Sequence, residues 1–235
     1  MKRIAIIGAE RGLGLGLSEE LLRRGWHVTA TARIMNDRAD LQRLGQAFPD
    51  RLALDTVDVT DAAQARAFAR RLAQGCPPLD AVFLVAGIWG ALHQSMPDAS
   101  EQEWTEVFHT NTVGPFRLAR WLLPCLAPRG TVAFMSSHRA SIACNVEGGM
   151  ELYRASKAAL NMLSRGLYAE LAPQGGSVLN IHPGWVATAM GTLDGTVQAE
   201  IDVATSVRGV AAQLELAMGS GEHRYLDYRG EPLPW

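Results

Sequence analysis

Tyr153 and Lys157 lie one helical turn apart in the run Tyr153-Arg154-Ala155-Ser156-Lys157. On a helix, residues at that spacing share a face. A phenol beside an ammonium is a means of moving a proton. Tyrosine alone, with an ordinary pKa of about 10, is a poor acid or base at neutral pH. Bringing it to about 7 requires about 4 kcal/mol of differential interaction, which a partly desolvated neighbouring cation can supply. Reduction of a carbonyl needs such a proton at oxygen while hydride arrives at carbon.

Further polar residues fit the same chemistry. The apolar run Thr131 to Met135 ends in Ser136-Ser137. A hydroxyl at the C-terminal end of a central parallel strand faces the ligand crevice of an open α/β sheet. Ser137 is placed to donate to a substrate oxygen, with Ser136 and Ser141 as local rivals. Asn111 lies in a helical stretch after the fourth apolar run. Its amide could hold a water that links Lys157 to solvent, or it could be an ordinary buried amide.

A nucleotide end precedes the chemical end. The run Ile4-Ala5-Ile6-Ile7 passes into Gly8-Ala9-Glu10-Arg11-Gly12-Leu13-Gly14. A glycine-rich turn between strand and helix lets main chain approach a pyrophosphate at the helix N-terminus. Where an acid would hold a ribose 2′-hydroxyl and select NAD, the second strand ends Thr31-Ala32-Arg33. Arg33, with Arg11 in the glycine loop, suits a 2′-phosphate and predicts NADP(H) in preference to NAD(H). Asp58-Val59 follows the third strand, where Asp58 could accept from an adenine amine or cap the helix that begins near Asp61.

These residues need a scaffold, and the apolar pattern describes one. Strands are expected at Ile4–Ile7, His27–Ala30, Leu52–Val57, Ala81–Val85, Thr131–Met135 and Ser177–Ile181, spaced by helical stretches such as Leu13–Arg24 and Ala62–Leu72. Continuously apolar strands separated by helices predict a doubly wound, mostly parallel sheet with helices on both faces, an α/β Rossmann fold spanning 1–235 as one domain. The segment Thr192 to Val207 is less periodic and is expected to be a substrate-covering loop or a short helix. Trp89, Met150 and Trp185 are candidates for an apolar pocket wall.

Composition narrows the class. The 235 residues are 48% hydrophobic and 20% charged, with a formal net charge of −2. That balance suits a globular protein and gives no basic excess for nucleic acid or an anionic membrane. No apolar run is long enough to span a bilayer. Cys76, Cys125 and Cys144 have no metal-ligand spacing and read as reduced thiols of a cytoplasmic protein. His93, His138 and His182 have no metal spacing either.

In order and spacing, Gly8-x-x-x-Gly12-x-Gly14, Asp58, Ala86-Gly87, Asn111, Ser137, Tyr153-x-x-x-Lys157 and Pro183-Gly184 resemble the short-chain dehydrogenase/reductase family over essentially the whole chain. The segments Tyr153 to Met162 and His182-Pro183-Gly184-Trp185-Val186-x-Thr188, with Pro234-Trp235, look most like its C-factor and sniffer-like carbonyl reductase branch. The resemblance implies a catalytic tetrad of Asn111, Ser137, Tyr153 and Lys157. It also implies contacts from Val186 and Thr188 to the nicotinamide carboxamide. Two positions depart from the family: Ile7 stands where Thr is usual, and Leu84-Val85-Ala86-Gly87 replaces Asn-Asn-Ala-Gly. The gap from Ser137 to Tyr153 is long, which implies an extended loop beside the pocket.

The expectation is therefore an NADPH-dependent oxidoreductase interconverting a small-molecule carbonyl and an alcohol, with Tyr153 as general acid/base. The alternative is a dinucleotide-binding signalling protein with little turnover. The stretch Leu152 to Leu171 carries apolar residues on more than one face, Leu160, Leu163 and Leu167 with Ala155, Ala158, Ala159 and Ala169, and predicts a homodimer.

Overall fold

A computed structural model describes residues 1–33 and 39–235. In chain order the main elements are β1 (Arg3–Ile7), α1 (Gly12–Arg23), β2 (His27–Ala32), α2 (Ala39–Ala47), β3 (Leu52–Thr56), α3 (Ala62–Gly75), β4 (Leu79–Leu84), α4 (Glu101–Phe108), α5 (Gly114–Leu122), β5 (Leu126–Met135), α6 (Glu151–Leu171), β6 (Ser177–His182), α7 (Val203–Ala217) and β7 (His223–Asp227). The strands form a seven-stranded sheet in the order β3-β2-β1-β4-β5-β6-β7. Every neighbouring pair is parallel.

The alternation of β1 explains the layers. Successive side chains of a strand point to opposite faces. Ile4 and Ile6 enter the core beneath α1 and α7, which includes Leu17, Leu21, Val210 and Leu214. Ala5 and Ile7 enter the opposite core with Phe68, Leu118, Leu160 and Leu167 from α3, α5 and α6. Burial on both faces is why the strands read as continuous apolar runs.

Several helices start where side chains supply the acceptors that the first turn lacks. Asp61 accepts from Ala63 N and Gln64 N at 2.9 and 3.0 Å and opens α3. Ser100 and Glu103 form a reciprocal capping box at α4. Asp202 accepts from Thr205 N at 2.7 Å and opens α7. Between α4 and α5 the chain widens into a π-helical turn, His109–Val113, that carries Asn111. Such turns occur frequently at functional sites.

The strand order reverses between β1 and β4, and the crevice of a doubly wound sheet opens beyond the carboxyl ends of such a pair. Gly8 follows β1 and Ala86 follows β4. A Cβ on Gly8 (φ +89°) would lie 2.9 Å from the Ala86 Cα, so the loops meet only with glycine there. The expected strands are all present, and β7 is added beside β6. The segment from Thr192 splits: turns run to Thr196, and residues from Val203 belong to α7.

Phe134, fully buried in β5, sits just before the polar end of that strand. Phe134→Ala should lower unfolding stability by about 3–5 kcal/mol, the usual cost of such a cavity, in urea unfolding followed by circular dichroism. A loss below about 1 kcal/mol would contradict this packing.

Candidate active site

Tyr153 and Lys157 lie on one face of α6, both buried. The Lys157 ammonium is 5.8 Å from the Tyr153 ring centre and donates to the Met135 carbonyl at 3.0 Å. Burial pushes the Tyr153 phenol up to about 12, opposed by its hydrogen bond with the Ser137 hydroxyl. Burial lowers Lys157 to about 8. Desolvation favours the neutral form of each group. The near-neutral phenol anticipated from an adjacent ammonium is therefore absent from the protein alone: the cation is held by a main-chain carbonyl, and burial dominates.

Ser137 lies two residues beyond β5, on the side of Tyr153. Its hydroxyl also accepts from Arg139 N at 3.1 Å, starting the short 3-10 turn His138–Ala140. Its rivals are engaged elsewhere. Ser136 donates to Asn161 Oδ1 at 2.8 Å, and Ser141 accepts from Cys144 N at 3.0 Å.

Asn111 is fully buried. Its Oδ1 accepts from Ile88 N at 2.7 Å, while its Nδ2 donates to Ile88 O at 2.9 Å and to the Ser156 hydroxyl at 3.1 Å. The amide thus grips the loop after β4. A Cβ on Gly87 would lie 3.1 Å from Lys157 Nζ and 3.2 Å from Asn111 Oδ1, so glycine keeps the space between those groups clear.

The nucleotide end has the shape its glycines require. A Cβ on Gly14 would fall 1.9 Å from the Gly8 carbonyl oxygen. Gly12 (φ +54°) opens α1 with Leu13 next to it, and its Cβ position lies 3.4 Å from Thr188 Cγ2. The cradle that these missing side chains leave, at the N-terminus of α1, fits a dinucleotide pyrophosphate. Arg11 is the exposed N-cap residue of α1, and Arg33 is exposed just beyond β2. Asp58 Oδ1 accepts from Thr60 N and the Thr60 hydroxyl at 2.8 and 2.7 Å, and Val59 beside it is buried. The cap of α3 is Asp61, so Asp58 does not serve as one.

The two departures from the family pattern have local substitutes. Ile7 O accepts from both Val85 N and Ala86 N at 2.9 Å, which ties β1 to the loop after β4 through main chain. Gly8 N donates to the Thr31 hydroxyl at 3.2 Å, which ties the glycine turn to β2.

On the far side, Pro183 O accepts from the Ser206 hydroxyl at 2.6 Å. Gly184 (φ +87°) turns the chain where a Cβ would lie 2.6 Å from Ile201. Val186 is buried and bridges to Ile201, and Thr188 Oγ1 accepts from Gly191 N at 3.0 Å. Trp89 packs its ring on Tyr153 with centres 4.9 Å apart. Trp185 is half-exposed, its indole N–H donating to Gly191 O at 2.6 Å.

Sequence reasoning missed supports of this site. Tyr225 on β7 donates to the Ser137 carbonyl at 2.5 Å, and burial pushes its phenol up so that it remains a donor. Gln94, with φ +57°, contacts the start of α6. Tyr225 lies in the short, mixed run His223 to Asp227 and Gln94 in a loop, and no local pattern marks either. Among the described residues no group of His, Cys, Asp and Glu side chains could hold a metal ion, and no helix is long and apolar enough to cross a membrane.

The short chain dehydrogenase family model matches residues 2–197, and the chain belongs to that family. It is 36% identical over 172 residues to the C-signal protein of Myxococcus xanthus, covering 72% of this chain and 99% of that protein. A carbonyl reductase from Pseudomonas aeruginosa PAO1 in complex with NADP superposes with a TM-score of 0.90 at 39% identity, covering 100% of both chains. A short-chain dehydrogenase/reductase from Burkholderia multivorans with bound NADP gives a TM-score of 0.93 at 37% identity, covering 100% of this chain and 99% of the other. These likenesses support the C-factor and sniffer-like branch.

His182 ends β6 with its ring centre 6.0 Å from that of His138, and its Nδ1 is buried without a partner among the described residues. Burial lowers it from 6.5 to about 4, helped by repulsion from His138, Arg139 and Arg229 and opposed by Asp227. A histidine buried neutral leaves the unfolded chain binding more protons between those values. Its contribution is complete above 6.5 and is lost as pH falls towards 4. The protein should lose stability over that interval, and His182→Gln should flatten the slope in urea titrations at stepped pH. An unchanged slope would contradict a neutral, half-buried His182.

Proposed function

We propose that this protein is an NADPH-dependent reductase of aldehydes or ketones, reversible in principle, with Tyr153 as general acid/base. The observation that carries the reading is Tyr153 and Lys157 one turn apart on the same buried helix face, the ammonium 5.8 Å from the phenol ring centre and anchored on Met135 O. Gly8, Gly12 and Gly14 would hold the pyrophosphate, with Leu13 at the start of the helix. Asp58 and Val59 would flank the adenine, Ala86 and Gly87 would line the crevice, and Pro183, Gly184, Val186 and Thr188 would border the nicotinamide. When bound, NADPH supplies the hydride that adds to the carbonyl carbon. Ser137 orients the substrate oxygen, and Tyr153 transfers its proton to that oxygen. Lys157 stabilises the phenolate left behind, and Asn111 keeps the adjoining loop in place.

Arg33 and Arg11 support a preference for NADPH over NADH. Among the described residues neither side chain makes an ion pair, and β2 ends in Thr31-Ala32-Arg33 with a cation where an acid would repel a 2′-phosphate. We further propose a cytoplasmic homodimer paired through α6, where Met162 is exposed and Leu163 half-buried, while Leu160 and Leu167 face the core. The free thiols Cys76, Cys125 and Cys144 suit a reducing compartment.

The likeness to C-signal favours a second reading, a dinucleotide-binding signalling protein with little turnover. Tyr153→Phe separates the two. It removes one hydroxyl and keeps the ring, so reductase activity against a panel of aldehydes and ketones should fall about 10²–10⁴-fold while NADPH binding stays nearly intact. Wild-type protein that binds NADPH yet reduces nothing in the panel would favour signalling.

Arg33→Ala tests cofactor choice. Loss of a charged hydrogen bond, about 1.5–3 kcal/mol, should weaken NADPH at least roughly tenfold and leave NADH nearly unchanged in fluorescence titrations. Equal losses for both cofactors would overturn the assignment.

A further inference from the structure

The catalytic helix begins without a cap of its own. Its N-cap residue, Met150, has a left-handed backbone (φ +55°) and offers no side-chain acceptor. The first N–H groups of a helix still need acceptors. Here a residue from a different loop supplies them. Gln94 Oε1 accepts from Tyr153 N at 3.0 Å, and Gln94 O accepts from Leu152 N at 3.5 Å. The neighbouring Met96 N donates to Glu151 Oε2 at 3.2 Å.

The other end of the same amide holds the loop that lies over Tyr153. Gln94 Nε2 donates to Trp89 O at 2.9 Å and to Ala91 O at 2.6 Å. Trp89 packs its ring at a tilt against Tyr153, and its own indole N–H is buried without a partner among the described residues. The ring contact and the main-chain clamp therefore fix Trp89. Asn111 grips the loop one residue earlier, through both polar main-chain groups of Ile88. Gly90 (φ +87°) makes the turn between the clamps, where a Cβ would collide with Val107 at 2.2 Å.

Gln94 itself is 3% exposed and holds φ +57°, a conformation costly for a residue with a side chain. A surrounding set of bonds must hold it there, and those bonds run to the proton donor's own backbone and to the ring packed on that donor. We propose that Gln94 is a positioning residue for proton transfer: one buried amide sets Tyr153 against Ser137 and keeps the Trp89 wall in register with it. This rests on the reductase reading above. It adds a coupling between the substrate-side loop and the proton donor.

The test compares wild type with Gln94→Met and Gln94→Glu. Methionine matches the length and apolar burial but makes none of these bonds. Glutamate keeps an acceptor for Tyr153 N and cannot donate to both carbonyls. Misplacement of a reacting group by about 1 Å can cost about 10²-fold. Gln94→Met should lower kcat at least roughly tenfold on that scale, with the NADPH dissociation constant unchanged. Amide exchange of Leu152 and Tyr153, read by deuterium uptake, should become faster. Gln94→Met should also raise the carbonyl KM; Gln94→Glu should recover most of kcat but leave that KM raised, because the helix is capped but the loop is loose. A merely structural role would lower the melting temperature and leave kcat and KM of the folded protein unmoved. That result, or unchanged exchange at Tyr153, would overturn the proposal. Wild type that reduces no carbonyl would instead remove the reductase reading, and the proton-transfer role with it, even if exchange in Gln94→Met still rose.

Discussion

Desolvation of the Tyr153–Lys157 face is the constraint around which the site is arranged. Burial, only partly opposed by Ser137, drives the phenol up to about 12, and burial drives the ammonium down to about 8, so both groups are pushed towards neutrality. A pair in that condition neither donates a proton readily nor stabilises a phenolate well. In the proposed reaction it becomes useful when a bound dinucleotide and a substrate oxygen complete its surroundings. The protein's own contribution is to hold the pair dry and in register, which makes the supports of α6 as important as the pair itself.

Those supports are main-chain groups and buried amides drawn from several elements. Lys157 is anchored on the end of β5 through Met135 O, and Ser137 is steadied from β7 by Tyr225. The ring of Trp235 packs on Tyr225 and His223, with ring centres 5.0 and 4.6 Å apart. Asn161 Oδ1 receives Ser136 from just past β5 and Asn180 from β6, locking α6 onto the sheet beneath the site. Each bond is made by a group that would be costly to bury unpaired. The network therefore favours a single arrangement of α6 over the sheet.

Much of this was legible in the sequence, for a local reason. The glycine turn, the Tyr153–Lys157 spacing and the apolar strands are patterns within short windows, and they fix the sheet and both ends of the crevice. The order of strands agrees with the apolar pattern. What escaped depends on tertiary contact. β7 begins with the polar, half-buried His223 and Arg224, so its run is too short and mixed to declare a strand. Gln94 sits in a left-handed conformation that sequence would assign to glycine, and its partners are remote in the chain. At Ile7 and Leu84-Val85, where the chain departs from the family pattern, Ile7 O and the Thr31 hydroxyl tie β1 and the glycine turn to the neighbouring elements, which the sequence does not show.

The central claim is that Tyr153 is a proton donor whose pKa the completed site brings down. The most direct measurement is a phenolate titration by ultraviolet difference absorbance, wild type minus Tyr153→Phe, with and without saturating NADP⁺. Without the dinucleotide, Tyr153 should ionise only near 12, as its burial dictates. With it, ionisation should move down towards neutrality in wild type and fail to do so in Lys157→Ala. A Tyr153 that stays protonated to the same alkaline pH with the dinucleotide bound would contradict the account.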